Sequence, residues 1–158
     1  MPIARIAADT VVAVAFVVLL IAPIGPLPGV FIGGTATPAP AVWQDTSGID
    51  EVRLKVPGAI PRVVIIWVID YQGELYVLGM KESGWVRMIG TGADVELRIG
   101  DATYAVRARP VEKDAALIFE AYRAKYEPNH PDLVATLPSM EEAASVATIF
   151  QLVRSGGR

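Results

Sequence analysis

The chain has 158 residues, 53% of them apolar, a formal net charge of −3 and no cysteine. A disulfide framework, a thiolate nucleophile and a zinc ribbon are therefore excluded, and the single histidine, His130, speaks against a Ser-His-Asp triad and most transition-metal sites. An acidic pI near 5.1 offers no basic field for phosphate neutralisation, so no nucleic-acid partner is expected.

The hydrophobic excess lies in the first third. No charged residue occurs between Asp9 and Asp45. The uncharged run Thr10 to Ile32 is about 23 residues, and a helix of that length rises about 34 Å, enough to cross a hydrocarbon core of about 30 Å. Pro23, Gly25, Pro26, Pro28 and Gly29 interrupt it, because proline removes a backbone donor and clashes with the preceding turn. The well-formed helix is expected over Ala7–Ala22, with an irregular apolar exit to Ile32. Residues 1–32 thus read as a single-pass transmembrane anchor in contact with membrane lipid. Arg5 is the only cation near the amino-terminal end, which places that end in the cytoplasm and the following domain outside. A competing reading is a cleaved signal peptide with Ala39-Pro40-Ala41 as its cleavage site. Residues 33–48, rich in Pro, Thr and Gly, read as an extended linker, in which Trp43 is either an interfacial anchor or a core contact.

From residue 49 the period becomes two. Val52, Leu54 and Val56 alternate with Glu51, Arg53 and Lys55, which predicts a half-buried strand ended by Pro57-Gly58. Arg62 to Asp70 is continuously apolar, rich in β-branched and aromatic residues, and reads as a strand buried on both faces. Tyr71-Gln72-Gly73-Glu74 turns the chain into a partner strand, Leu75 to Met80. Ser83 is placed to cap a short helix from Gly84 to Ile89, whose free amides favour an anion. Asp94 to Ile99 and Thr103 to Arg109 form a second hairpin about Gly100-Asp101, with Val95, Leu97 and Ile99 on one face and Tyr104, Val106 and Ala108 on one face of the next. Leu117, Ile118, Ala121, Tyr122 and Lys125 mark a helix within Glu112 to Tyr126. Pro128-Asn129-His130-Pro131-Asp132 reads as a rigid loop. Ser139-Met140-Glu141-Glu142 has the pattern of a capping box opening a final helix that carries Met140, Ala144, Ala147 and Phe150 on spaced turns. The expected class is α+β: an N-terminal transmembrane helix, then an antiparallel β-barrel with flanking helices over residues 49–158.

Gly73-Glu74-Leu75-Tyr76-Val77, Gly84-Trp85-Val86-Arg87, Asp94 to Gly100 and Tyr104 to Val111 together resemble the split-barrel flavoproteins of the pyridoxamine-phosphate-oxidase-like superfamily, and more narrowly its deazaflavin-dependent nitroreductase branch. The resemblance covers about Arg62 to Tyr126. Met88-Ile89 stands where the branch has Asn-Leu, and Val56 to Arg62 replaces a glycine- and lysine-containing segment, leaving Arg62 as the basic residue there. It implies an FMN or deazaflavin cofactor whose phosphate end lies near Lys81, Ser83 and the amides of Gly84 and Trp85, with Arg62 and Arg87 as further cations and Trp85 either walling the pocket or plugging the barrel. It also implies an oxidoreductase acting on a small or lipophilic acceptor, and a homodimer; no metal is expected, since the chain lacks cysteine, has one histidine, and its Glu141 and Glu142 are explained by the capping box. The alternative is a non-catalytic accessory subunit that keeps the barrel and docks in a larger membrane complex. A third reading is a secreted or anchored ligand-binding module.

Overall fold

The computed structural model describes residues 29–154. These residues form seven strands, β1 (Thr35–Ala36), β2 (Glu51–Val56), β3 (Arg62–Tyr71), β4 (Glu74–Met80), β5 (Ala93–Ile99), β6 (Ala102–Pro110) and β7 (Ala147–Arg154), and four helices, α1 (Gly84–Ile89) between β4 and β5, and α2 (Ala115–Tyr126), α3 (Pro131–Ala135) and α4 (Met140–Val146) between β6 and β7. The sheet order is β1-β6-β5-β2-β3-β4-β7, and β7 pairs back onto β6. The six long strands, all antiparallel to their neighbours, therefore form a closed barrel. β1 adds one short parallel pairing outside β6.

Side-chain alternation decides what fills the barrel. Val52, Leu54 and Val56 of β2, Leu75 and Val77 of β4, Val95 and Leu97 of β5, Val106 and Ala108 of β6, and Phe150 and Leu152 of β7 meet in one buried cluster. Their intervening neighbours point outward. Helix α1 follows β4 and delivers Trp85, Val86 and Ile89 to the same core. A second cluster lies outside the barrel wall, where Ile69, Tyr76 and Ile149 meet Ile118, Phe119, Tyr122 and Tyr126 of α2. The expectation for β3 holds where α2 covers it: Val68 points into the barrel and Ile69 into the outer cluster. At Ile65, which lines a shallow polar hollow with Arg53 and Arg98, the outer face is only partly covered.

The two layers are tied together at the end of α2. The Lys125 ammonium donates to three carbonyl oxygens, Ile49 at 2.7 Å, Val68 at 2.8 Å and Thr46 at 3.1 Å. The Tyr126 hydroxyl accepts from the Val68 amide at 2.9 Å and lies 2.7 Å from the carbonyl oxygens of Val68 and Asp50, so it can donate to one of them. The ring of Tyr126 stacks on Trp67 with centroids 4.1 Å apart. Burial pushes the Tyr126 phenol well above its ordinary pKa, so it stays a donor at any physiological pH.

Four expectations change. The final helix ends at Val146, and Ala147, with φ −120° and ψ 161°, begins strand β7 without an intervening loop. Ala147 and Phe150, expected on helical turns, are strand residues, and Phe150 fills the barrel. The Pro128–Asp132 region is only partly a loop, since Pro131 starts α3 with His130 at its N-cap. Residues 33–48 run along the barrel: Thr35–Ala36 pair with β6, and Trp43 is a core contact, 6% exposed and edge-on to Tyr104.

The fourth concerns the membrane. The helix expected at Ala7–Ala22 lies outside the described residues. Among the described residues no helix is long and apolar enough to cross a membrane, so the expected transmembrane helix and single-pass localisation are not upheld. The last residues of the expected anchor belong to the barrel wall instead. Gly29 exchanges backbone hydrogen bonds with Val63 at 3.0 and 2.7 Å, Ile32 is 6% exposed, and the Arg98 guanidinium donates to the Ile32 carbonyl at 2.9 Å.

Candidate functional site at the barrel mouth

Arg62 opens β3 opposite Val56, on the same side of the strand as Val64, Ile66 and Val68, so its side chain leaves the barrel at its mouth. There it meets the first residue of α1. A Cβ built on Gly84 would lie 2.5 Å from Nη1 of Arg62, so glycine lets the guanidinium close onto the helix start. Ser83 precedes it with extended backbone, φ −66° and ψ 135°, and its hydroxyl makes no capping bond. The β2–β3 turn packs on the same helix, since a Cβ on Gly58 would lie 2.5 Å from the Met88 methyl.

Three of the six expected residues, Arg62, Ser83 and Gly84, are thus adjacent. Arg87 is exposed in the last turn of α1. Neither Arg62 nor Arg87 has a carboxylate within salt-bridge distance among the described residues. The neighbouring Glu82 is exposed.

The other two are committed elsewhere. Trp85 is 8% exposed and packs against Phe150 with centroids 5.9 Å apart. A side chain on Gly79 would overlap its ring, so Trp85 is the plug of the barrel rather than the wall of an open pocket. Lys81 finishes α4. Its ammonium donates to the Ala144 carbonyl and its amide to the Val146 carbonyl, both at 2.8 Å, which occupies two of the carbonyls that a helix end leaves unpaired. The sequence could not reveal this, because Lys81 and Ala144 are 63 residues apart.

Arg62 and Ser83 bring together one guanidinium group without a carboxylate partner among the described residues and one hydroxyl, donors suited to a phosphate or carboxylate. Among the described residues there is no group of three or more His, Cys, Asp or Glu side chains placed to hold a metal ion.

A second concavity, unsuspected from sequence, lies outside the barrel. It is a cleft of 640 Å³ between α2 and α4, floored by β4 and β7, with Leu78, Val111, Leu117, Phe119 and Ile149 in its walls. It was missed because its floor depends on β7, which the helical reading of Ala147–Phe150 concealed. The recoverable signal was the β-branched and aromatic run Thr148-Ile149-Phe150 followed by Leu152-Val153.

No family model and no curated protein matches the sequence. Solved structures do. A protein of unknown function from Agrobacterium tumefaciens is 17% identical over 75% of this chain and 58% of its own, with a TM-score of 0.51. A NimC/NimA family protein from Clostridium acetobutylicum is 16% identical over 65% of this chain and 73% of its own, with a TM-score of 0.48. HutZ, a heme storage protein from Vibrio cholerae, is 17% identical over 68% of this chain and 83% of its own, also at 0.48. With the closed six-stranded antiparallel barrel, the likeness to the Agrobacterium protein shows the fold and nothing more. The chain has the split-barrel fold. At these identities the likeness carries no activity.

Proposed function

We propose that this split-barrel chain binds a flavin- or deazaflavin-type cofactor by its anionic end at the barrel mouth and serves as an oxidoreductase toward a small or lipophilic acceptor. The observation that carries the reading is the Arg62 guanidinium resting on Gly84 beside Ser83, with no carboxylate partner among the described residues. A cation left unpaired at a glycine-opened surface is suited to a ligand phosphate. The fit is to that end of the cofactor. Arg62 would take a phosphate oxygen, Ser83 would donate its hydroxyl, and Arg87 would supply a second positive charge from the solvent side. Such a ring, when bound, supplies hydride or electron transfer itself, so no triad is required of the protein.

Trp85 and Lys81 leave the ligand set for the reasons given above. With Trp85 buried, no aromatic of α1 is free to cover the ring, and a second copy of the chain is the natural source of that wall. Ile60, two residues before Arg62, is 75% exposed and offers apolar surface for such a contact.

The same loss of two expected ligands favours a second reading, a non-catalytic accessory subunit that keeps the barrel. Fluorescence titration with FMN and with a deazaflavin separates them. The cofactor reading expects saturable binding near one per chain, weakened about tenfold by Arg62→Gln, the equivalent of about 1.4 kcal/mol for one charge-assisted bond. Absence of binding at about 100 µM of either cofactor overturns it and leaves the accessory reading, which expects a stoichiometric protein partner on purification.

A further inference from the structure

We infer that the outer cleft is a binding site for a small molecule with an apolar body and a cationic head. This does not rest on the cofactor reading, because the cleft lies on the outer face of the barrel and contains, of the residues first expected to bind the cofactor, only Lys81, whose ammonium is bound to the Ala144 carbonyl. At 640 Å³ it is in the range of small-molecule sites, about 300–1,000 Å³.

Apolar side chains line it from base to mouth. Ile149 and Phe119 are buried at the base, while Leu117 is 50% exposed at the mouth. The gap persists because α2 and α4 face it with alanines, Ala115 and Ala116 on one side and Ala143 and Ala144 on the other. Side chains of ordinary core size there would have closed it. An apolar body entering the cleft removes the Leu117 side chain and the alanine methyls from water together.

The charge at the rim selects the head. Glu112 and Asp114 both line the cleft, are exposed, and have no salt-bridge partner among the described residues. Lys113, between them in sequence, does not line it. Among the described residues Lys81 is the one basic residue of the lining, and it already donates to a carbonyl. The balance of free charge is therefore negative, complementary to an ammonium or amidinium group. Asp114 holds the left-handed conformation, φ +59°, which Asp and Asn tolerate better than most residues, so Asp114→Asn removes the charge and keeps the backbone.

The test uses octylamine, octanol and octanoate, three ligands of one tail and different heads, below their micellar concentrations, with binding read by calorimetry and by chemical shifts of Leu117 and Ile149. Wild type is expected to bind octylamine about threefold more tightly than octanol, as exposed charge pairs allow, and octanoate most weakly. Glu112→Gln with Asp114→Asn should abolish the preference for the amine and retain octanol. Ala116→Trp, at an exposed position, should block all three while leaving melting temperature and cofactor titration unchanged. Octanoate binding as tightly as octylamine, or octylamine binding undiminished in Ala116→Trp, overturns the inference. So does a dimer that Ala116→Trp dissociates, which would give the cleft to a second copy.

Discussion

Gly79→Ala isolates the claim that Trp85 belongs to the barrel core. Gly79 lies in β4 opposite Thr148 of β7, and a Cβ there would overlap the Trp85 ring and come within 2.6 Å of a Val86 methyl. Both contacts are with α1, so accommodation means moving the helix. Overpacking by one methyl costs about 1–3 kcal/mol when the surroundings can shift. Full expulsion of the tryptophan would expose about 200 Å² of apolar surface, worth roughly 5 kcal/mol at about 25 cal/mol per Å². The expected loss falls between these, about 2–4 kcal/mol, or a melting temperature lower by roughly 10 °C. Thermal melts of wild type and variant, with ¹⁹F spectra of 5-fluorotryptophan-labelled protein, read both effects. The Trp85 resonance should move toward its solvent-exposed position. Gly48→Ala, where an added Cβ meets nothing within 4 Å, is the control and should melt near wild type. A Gly79→Ala protein that melts within about 2 °C of wild type with its Trp85 resonance unmoved would refute the packing argument.

Three further outcomes follow from the same contacts. Lys125→Met removes three carbonyl acceptors' shared donor; burial lowers the Lys125 pKa, so desolvation offsets part of the gain, and urea unfolding should show a net loss of about 1–2 kcal/mol. Phe150→Ala opens the barrel at the strand that closes it, and should cost about 3–5 kcal/mol by the same assay. Hydrogen bonds from Ser139 hold the Glu142 carboxyl below its ordinary value of 4.5; its contribution is therefore present above pH 4.5 and lost as the pH falls through the lowered value. Amide exchange in 140–146 should quicken in that acid window, and Glu142→Gln should flatten the dependence.

Much of the barrel was legible because its inner and outer residues alternate cleanly in β2, in β5 and from Ala105 to Arg109 of β6, and because Gln72-Gly73 and Gly100-Asp101 mark tight turns. β7 was not. The capping box at Ser139 correctly announces a helix, but the helix passes into the strand at Ala147 with no glycine or proline to end it, and Ala144, Ala147 and Phe150 continue an apparent helical spacing. What stops the helix is distant in sequence: Lys81 takes its last carbonyls. The same contact explains why the candidate anion site was only partly legible. Arg62, Ser83 and Gly84 come together through β3 and α1, whereas Lys81 and Trp85, equally plausible by residue type, are claimed by a helix end and by the space above Gly79. The apolar amino-terminal run suggested a membrane span through to Ile32, yet Gly29 to Ile32 follow the barrel because Val63 and Arg98 offer them hydrogen-bond partners.

The most direct test of the proposed cofactor site is the ³¹P resonance of FMN titrated with the protein. If Arg62 holds the phosphate, wild type shifts and broadens the signal in a saturable manner, and Arg62→Gln, folded as judged by its melting curve, leaves it close to that of free FMN. The same shift with both proteins would contradict the assignment of the barrel mouth as the anion site.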